Sequence, residues 1–194
     1  KRLILRSDSI NIDAVVFADA DDCFARNRIA VCKDLLTMYD VVVNELVLFG
    51  SNAVKGSTML QGRFQHGQLI KSGDLLCSNC CGLSNTASHL NSVASAMGDI
   101  PDEIQAFDWA LFSRVLLAGK TAVFTDETQT YYRQHDNNMA APHLLSDAQI
   151  LRGVQIKRAH YLSLSNRNEW YYAQAQKFDE IYQKLHSDSN FYLD

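Results

Sequence analysis

The clearest pattern near the start of the chain is an apolar run that ends abruptly in acidic residues. Residues 14–18 are apolar and β-branched in the middle, and Asp19, Asp21 and Asp22 follow at once. A continuous apolar run of this length is typical of a strand buried on both faces. Burying an unpaired carboxylate costs several kcal/mol, so we expect the aspartates to emerge at the carboxyl end of that strand, where open α/β sheets bind their ligands.

The rest of the chain alternates between strand-like and helix-like patterns of apolar positions. The two turns around Gly62 and Gly67 suggest a hairpin or an irregular excursion over Thr58–Ile70. The predicted strands are Ile12–Ala18, Asp40–Phe49, Ala122–Phe124 and Thr128–Arg133. The predicted helices are Ala25–Tyr39, His89–Ala96 (capped by Asn85 or Thr86), Asp108–Leu117, Leu144–Leu162 and Asn166–His186. This order predicts an α/β fold with a partly parallel sheet covered on both faces.

Composition narrows the class of protein. The chain has 194 residues, 47% of them hydrophobic and 21% charged, which suits one globular domain with a substantial core. A net charge of −4 gives no sign of a nucleic-acid partner, which usually needs a basic face. No apolar run approaches the ~20 residues of a membrane span, and no signal peptide is recognisable. Because the chain begins at Lys1, we expect a fragment or a trimmed sequence.

The cysteines suggest a reducing compartment. There are five, an odd number, and no secretion signal accompanies them, so we expect free thiols and a cytoplasmic protein. Cys77 and Cys80 have the spacing of half a zinc site, but no second pair of ligands accompanies them, and a structural zinc needs four. We therefore do not predict zinc here.

Three polar clusters carry the candidate chemistry, and each has a structural alternative. The aspartates after the first strand either bind Mg²⁺ or Mn²⁺ or form a solvated loop in which Asp22 caps the next helix. Asp108 opens a predicted helix, either as its N-cap or as a partly desolvated base. His135 is either a loop histidine or a ligand that completes a mixed oxygen and nitrogen site. From these residue types alone, both interpretations stay open in each case.

Three motifs together resemble GT-A-fold glycosyltransferases of the family 2 type, over roughly residues 10–140. Asp19-Ala20-Asp21-Asp22 after an apolar strand resembles the DxD motif of these enzymes. Phe107-Asp108-Trp109-Ala110-Leu111 resembles their acidic DW segment at the head of a helix. Tyr131-Tyr132-Arg133-Gln134-His135, with Asn137 and Asn138, resembles their YRxH stretch. A DxD alone occurs in many proteins, whereas three motifs in the same order are more specific.

The resemblance implies a donor site around the aspartates. Asp19 would contact the ribose of a nucleotide-diphospho-sugar or the surroundings of the metal. Asp21 and Asp22 would bind a Mn²⁺ or Mg²⁺ ion that bridges the diphosphate and offsets its charge. His135 would be a further ligand of the metal or of the diphosphate. Arg133 would pair with a phosphate.

The resemblance also implies an activity: transfer of a sugar to an acceptor hydroxyl, with inversion, in polysaccharide biosynthesis. Asp108 would be the general base that deprotonates the acceptor, and the Gly82–Ala87 loop would lie near the sugars. Trp109 would either face a sugar or, as we favour, belong to the core. The expected partners are a nucleotide-sugar donor and a saccharide acceptor.

One departure from the family limits this expectation. Only 18 residues precede Asp19, fewer than the roughly 30 of a single βαβ unit, so the N-terminal nucleotide-binding strands of the family have no room. We therefore expect residues 1–142 to form a partial GT-A-like catalytic domain with an exposed sheet edge, which favours pairing into a homo-oligomer. Two alternatives are a non-catalytic, carbohydrate- or partner-binding remnant of the same fold and a phosphatase-like Mg²⁺ hydrolase.

Residues 143–194 form a predicted helical appendage. Its basic and aromatic residues, such as Lys157, Arg158, Trp170 and Tyr172, could seat it at the inner face of a membrane. Acidic residues are interspersed among them, so we favour a helical pair that packs on the sheet or on another subunit.

Overall fold

The computed structural model describes residues 12–50, 54, 56–98, 100–134 and 146–187. In these ranges six strands form one mixed sheet and six helices accompany it. The strands are β1 (Ala14–Val16), β2 (Cys23–Phe24), β3 (Val41–Gly50), β4 (Leu69–Ile70), β5 (Thr86–His89) and β6 (Ala122–Gln134). The helices are α1 (Arg28–Leu35), α2 (Ser72–Cys77), α3 (Leu90–Met97), α4 (Phe107–Leu117), α5 (Asp147–Leu162) and α6 (Glu169–Ser187).

The sheet is built around β3, which pairs with β6 in parallel and with β5 in antiparallel orientation. The strand order is β1-β5-β3-β6-β2, and β4 pairs with β6. Successive side chains of β3 point to opposite faces. Val41 and Val43 join the larger core, which α3 and α4 complete, whereas Val42 packs in the smaller core with Cys32 and Leu36. The predicted mixed α/β sheet with both faces covered is therefore confirmed.

The expectation that β1 is buried on both faces is wrong. The strand lies at one end of the strand order, and within the described residues it pairs only with β5. Ala14 is exposed, and Val15 and Val16 are half-buried. An apolar run gives no information about how many neighbours a strand has, because that depends on pairing with residues that are distant in sequence.

Long-range pairing also explains the elements that the sequence pattern missed. Thr86 was a candidate helix cap, but it begins β5, a four-residue strand in which Ala87 is the one apolar side chain. The two strands predicted around residues 122–133 are one strand, β6. Asn44 of β3 pairs with Thr125 of β6, but the next residue, Glu45, pairs with Gln129. The three residues of β6 between these pairs are accommodated in a bulge.

The C-terminal helical pair is confirmed, as α5 and α6 begin and end within three residues of the prediction. Ser146 caps α5, where Gln149 Oε1 accepts a hydrogen bond from the Ser146 backbone at 2.8 Å. The proposed domain boundary at residues 142/143 lies outside the described ranges and stays a prediction. In the described part of the chain, no helix has both the length and the apolar character needed to cross a bilayer.

Candidate functional site

The connection from β1 to β2 crosses the carboxyl ends of the central strands. β1 and β2 lie at opposite ends of the strand order, four strand spacings apart, which is roughly 19 Å at about 4.8 Å per spacing. The connecting residues 17–22 must therefore extend across the sheet. We call residues 19–22 the aspartate loop, because it carries Asp19, Asp21 and Asp22 over this edge.

Asp22 fastens the aspartate loop to two other segments. Its Oδ1 accepts a hydrogen bond from the backbone N–H of Arg133 at 2.8 Å. Its Oδ2 accepts a hydrogen bond from the hydroxyl of Ser84. Both carboxylate oxygens are thus engaged by protein donors, which assigns Asp22 a positioning role. The predicted metal-binding role of Asp22 stays a prediction.

Arg133 holds the same loop from the end of β6. Its Nε donates to the backbone carbonyl of Asp21 at 2.8 Å, and its guanidinium lies 4.8 Å from the centre of the Phe49 ring. The guanidinium is therefore already oriented by a hydrogen bond and by stacking on an aromatic face. Its predicted contact with a phosphate stays a prediction.

Asp108, nearly 90 residues further along the chain, faces the aspartate loop. Partial burial and the charges of Asp22, Asp21 and Asp108 raise the pKa of Asp19. Burial, followed by the charges of the same four aspartates, raises the pKa of Tyr132. Asp19 thus lies within electrostatic reach of the other three aspartates. The structure therefore brings together Asp19, Asp21, Asp22 and Asp108, which we call the carboxylate region.

The alternative that Asp108 is the N-cap of its helix is wrong. Ala106 occupies the N-cap position, and Asp108 lies in the first turn of α4, where its Oδ1 accepts the backbone N–H of Trp109 at 2.8 Å. Burial raises the pKa of the Asp108 carboxyl, and hydrogen bonds from Trp109 and Asn79 lower it. The effect of burial is the larger, so the pKa is raised. A carboxylate whose charged form is disfavoured by burial is a better proton acceptor than an exposed one.

Gly82 permits the close approach of a neighbouring loop to Asp108. A Cβ at this position would lie 3.9 Å from Asp108 Oδ2 and only 3.0 Å from Asn85 Oδ1. Asn85 in turn donates from its amide to the carbonyls of Asn44 and Cys80, both at 3.1 Å. This stretch thus lies beside Asp108, and its predicted position near the sugars stays a prediction.

Arg28 is a supporting residue that the sequence pattern did not reveal. It is buried, with 3% of its surface exposed. Its Nη2 donates to the carbonyl of Phe17 at 2.8 Å, and its Nε donates to Asn44 Oδ1 at 2.9 Å. The guanidinium therefore anchors the start of the β1–β2 connection to β3. No periodicity or motif marks a single arginine for this role.

Two further predicted residues have different outcomes. His135 lies outside the described ranges, so its predicted ligand role stays a prediction. Trp109 is 5% exposed, and its indole N–H donates to the carbonyl of Leu75 at 2.6 Å, which confirms that it belongs to the core.

Among the residues that the structure describes, no group of three or more His, Cys, Asp or Glu side chains is arranged to hold a metal ion.

Comparison with known proteins adds information on the fold. No protein-family model matches the chain, and no curated protein matches it in sequence. Two solved structures of residues 1–349 of S. aureus TarS, a glycosyltransferase, are similar in three dimensions. The TarS structure in complex with UDP-GlcNAc has 14% sequence identity and a TM-score of 0.53, with 92% of this chain and 50% of that chain covered. The other has 14% identity and a TM-score of 0.51, with 94% and 49% covered.

At this level of identity the comparison establishes the fold alone. The chain has an α/β, GT-A-like architecture, with a mixed sheet flanked by helices. It spans about half the length of the structures that it matches.

Proposed function

We propose that this chain carries the acceptor side of a GT-A glycosyltransferase, of the family 2 type, that transfers a sugar from a nucleotide-diphospho-sugar to a saccharide hydroxyl with inversion. The observation that carries the proposal is that two adjacent residues connect Asp108 with the aspartate loop: the Leu83 backbone donates to Asp108 and the Ser84 hydroxyl donates to Asp22. The similar fold of TarS, which was solved with UDP-GlcNAc, supports a nucleotide-sugar as the donor class.

Asp108 is the proposed general base. Its carboxylate would accept the proton of the acceptor hydroxyl as that oxygen attacks the anomeric carbon of the donor sugar. Burial makes it more basic, and the Trp109 N–H holds Oδ1 in place at 2.8 Å, which leaves Oδ2 as the oxygen nearer Gly82. Positioning and basicity are the two requirements for such a role.

The carboxylate region fits a divalent cation. Mg²⁺ is usually held by one or two protein carboxylates together with substrate phosphates, so three protein ligands are not needed. Asp19 and Asp21 would supply these oxygens, with Asp22 holding the loop and His135 as the proposed further ligand. A Mn²⁺ or Mg²⁺ ion there would neutralise charge on the leaving diphosphate.

A second candidate function is a non-catalytic, saccharide-binding remnant of the same fold. It is favoured by one observation, that both carboxylate oxygens of Asp22 and the Nε of Arg133 are already engaged by protein partners. Under this proposal Asp108 and the aspartate loop would persist without turnover, and saccharide binding would not depend on a cation.

The test measures the melting temperature with Mn²⁺ alone and with Mn²⁺ plus UDP or dTDP. A ligand that binds the folded state raises its stability by mass action. Asp19→Asn removes a charge that burial and three neighbouring aspartates disfavour, so we expect it to raise the melting temperature slightly without metal and to weaken the Mn²⁺ response. Asp22→Asn places an amide against the Arg133 N–H and the Ser84 hydroxyl, so we expect it to lower the melting temperature without metal.

The outcome discriminates between the two candidates. A nucleotide-dependent rise that needs Mn²⁺, together with sugar transfer to a saccharide, supports the transferase. Absence of any shift across the nucleotides, with the fold intact, contradicts it. The exposed Asp102, on the loop before α4, gives the control Asp102→Asn, which should leave the Mn²⁺ response unchanged.

A further inference from the structure

A cavity of about 360 Å³ lies between α2 and the start of α6, away from the aspartate loop in sequence. Its lining includes Lys71, Ser72, Leu76, Asn168 and Trp170. We call it the α2–α6 pocket. The volume is near the lower end of the range for ligand pockets, about 300–1,000 Å³, so it suits one or two sugar rings better than a large cofactor.

Trp170 is the most unusual side chain of this pocket. It is 63% exposed, whereas Trp109, the other tryptophan of the chain, is 5% exposed. An indole offers a flat apolar face and one N–H donor, which is why tryptophan is enriched where one surface must be both apolar and polar. The pocket therefore has a flat aromatic wall open to solvent.

Polar donors accompany this wall. Lys71 and Ser72 place an ammonium and a hydroxyl group on the lining of the pocket. Asn168 uses its Oδ1 to accept the backbone N–H of Trp170 at 2.9 Å, which orients its amide nitrogen as a remaining donor. An aromatic face beside ammonium, hydroxyl and amide donors is complementary to a pyranose, which has an apolar C–H face and a rim of hydroxyl oxygens.

We propose that the α2–α6 pocket binds a sugar residue of the acceptor, with its ring on the indole of Trp170 and its oxygens on Lys71, Ser72 and Asn168. The identification of this sugar as part of the acceptor rests on the proposed function, whereas saccharide binding in the pocket does not depend on it. A lipid chain would leave the three donors unused, and a free phosphate would leave the indole unused.

The pocket is connected to Asp108 through α2. The carbonyl of Leu76, which lines the pocket, accepts the hydroxyl of Tyr161 at 2.7 Å. The preceding carbonyl, of Leu75, accepts the indole N–H of Trp109, the residue after Asp108. One turn of α2 thus lines the pocket with Leu76 and contacts, through Leu75, the residue that follows Asp108. An acceptor with several sugars would occupy the pocket with one ring while another presents its hydroxyl to Asp108.

The experiment titrates the whole chain with cellobiose, chitobiose, maltotriose and glucose 6-phosphate, and with UDP as a separate arm. Binding is followed by tryptophan fluorescence, which reports on the exposed Trp170, and by saturation-transfer NMR, which works in variants without it. Trp170→Ala has a matched control in Tyr172→Ala, another exposed aromatic of α6 that does not line the pocket. Lys71→Gln is matched by Lys177→Gln on the exposed surface of α6.

We expect at least one saccharide to bind saturably, about tenfold more weakly after Trp170→Ala and severalfold more weakly after Lys71→Gln. Tyr172→Ala and Lys177→Gln should bind as the wild type does. The proposal is overturned if no saccharide saturates up to tens of millimolar, if Tyr172→Ala weakens binding as much as Trp170→Ala, or if UDP displaces the saccharide from Trp170.

The failure of this inference can be distinguished from the failure of the transferase proposal. Saccharide binding at Trp170 with no nucleotide or cation response contradicts the transferase and supports the pocket. A Mn²⁺-dependent nucleotide response with no saccharide effect on Trp170 supports the transferase and contradicts the pocket.

Discussion

Two adjacent residues, Asp108 and Trp109, face regions of opposite character. Asp108 belongs to the carboxylate region, whereas Trp109 belongs to an aromatic cluster between α4 and the C-terminal helices. The members of that aromatic cluster are Trp109, His160, Tyr161 and Tyr171. In both regions burial disfavours charge. It raises the pKa of Asp108 and lowers the pKa of His160 to about 3.

The consequences of burial differ between the two regions. His160 can remain neutral at pH 7, and its ring stacks on Trp109 with centroids 3.9 Å apart, so desolvation there is compatible with tight packing. In the carboxylate region, burial and then the charges of Asp22, Asp21 and Asp108 raise the pKa of Asp19, so neighbouring negative charge disfavours its ionised form. A bound cation would offset the electrostatic cost of ionising Asp19, whereas the neutral ring of His160 needs no such counter-charge.

The strongest test of this difference is Asp108→Asn. If Asp108 is the base, the amide cannot accept the proton and transfer should fall by about 10²- to 10⁴-fold. The amide removes a negative charge but is a poorer acceptor for the hydrogen bonds from Trp109 and Asn79, so the melting temperature should change little compared with the change in activity. Initial rates of sugar transfer and thermal unfolding, measured on the same preparations, check both expectations.

The exposed Asp102→Asn is the matched substitution and should keep full activity. An Asp108→Asn variant that transfers sugar at the wild-type rate would contradict the assignment of the base. It would leave the carboxylate region as a charge cluster only.

A second test removes the support beneath the aspartate loop. Arg28→Met keeps much of the volume but leaves the Phe17 carbonyl and Asn44 Oδ1 without their donor. Hydrogen bonds from charged groups contribute about 1.5–3 kcal/mol each, so we expect the loss of two to lower the free energy of unfolding by roughly 3–6 kcal/mol. Urea unfolding measures it.

Arg26→Met, two residues earlier and exposed, is the control and should change stability by less than about 0.5 kcal/mol. Equal effects of the two substitutions would show that Arg28 does not hold the connection between β1 and β2.

The third test uses pH to separate the two regions. His160 has a pKa of about 3 in the folded chain and about 6.5 when unfolded, so the unfolded chain binds the extra proton between these values. The contribution of neutral His160 to the free energy of unfolding is complete above pH 6.5. It falls by about 1.4 kcal/mol per pH unit as the pH drops toward 3. His160→Phe keeps the aromatic stacking and cannot be protonated, so we expect it to remove this part of the acid destabilisation.

Urea unfolding at several pH values between 7 and 4 measures this effect. His186, exposed in the last turn of α6, gives the control His186→Phe, which should keep the wild-type pH dependence. If His160→Phe loses stability with falling pH as steeply as the wild type, the aromatic cluster is not the origin of that loss.

The sequence alone predicted the elements that depend on local pattern. The amphipathic periodicity of α4, α5 and α6 and the β-branched run of β3 located these elements to within a few residues, because helix and strand periods are properties of neighbouring positions. The acidic residues at the end of β1 were predicted to emerge at the sheet edge because carboxylates resist burial, and that argument also needs only local sequence.

The tertiary structure decided what depends on distant pairing. It placed β1 at an edge, recruited the polar residues of β5 into the sheet, joined two predicted strands into β6 and brought Asp108 to the aspartate loop. It also buried Arg28 and His160, whose residue types gave no reason to expect burial. Pairing and burial between distant segments are set by the summed free energy of the whole fold, and no window of neighbouring residues contains that information.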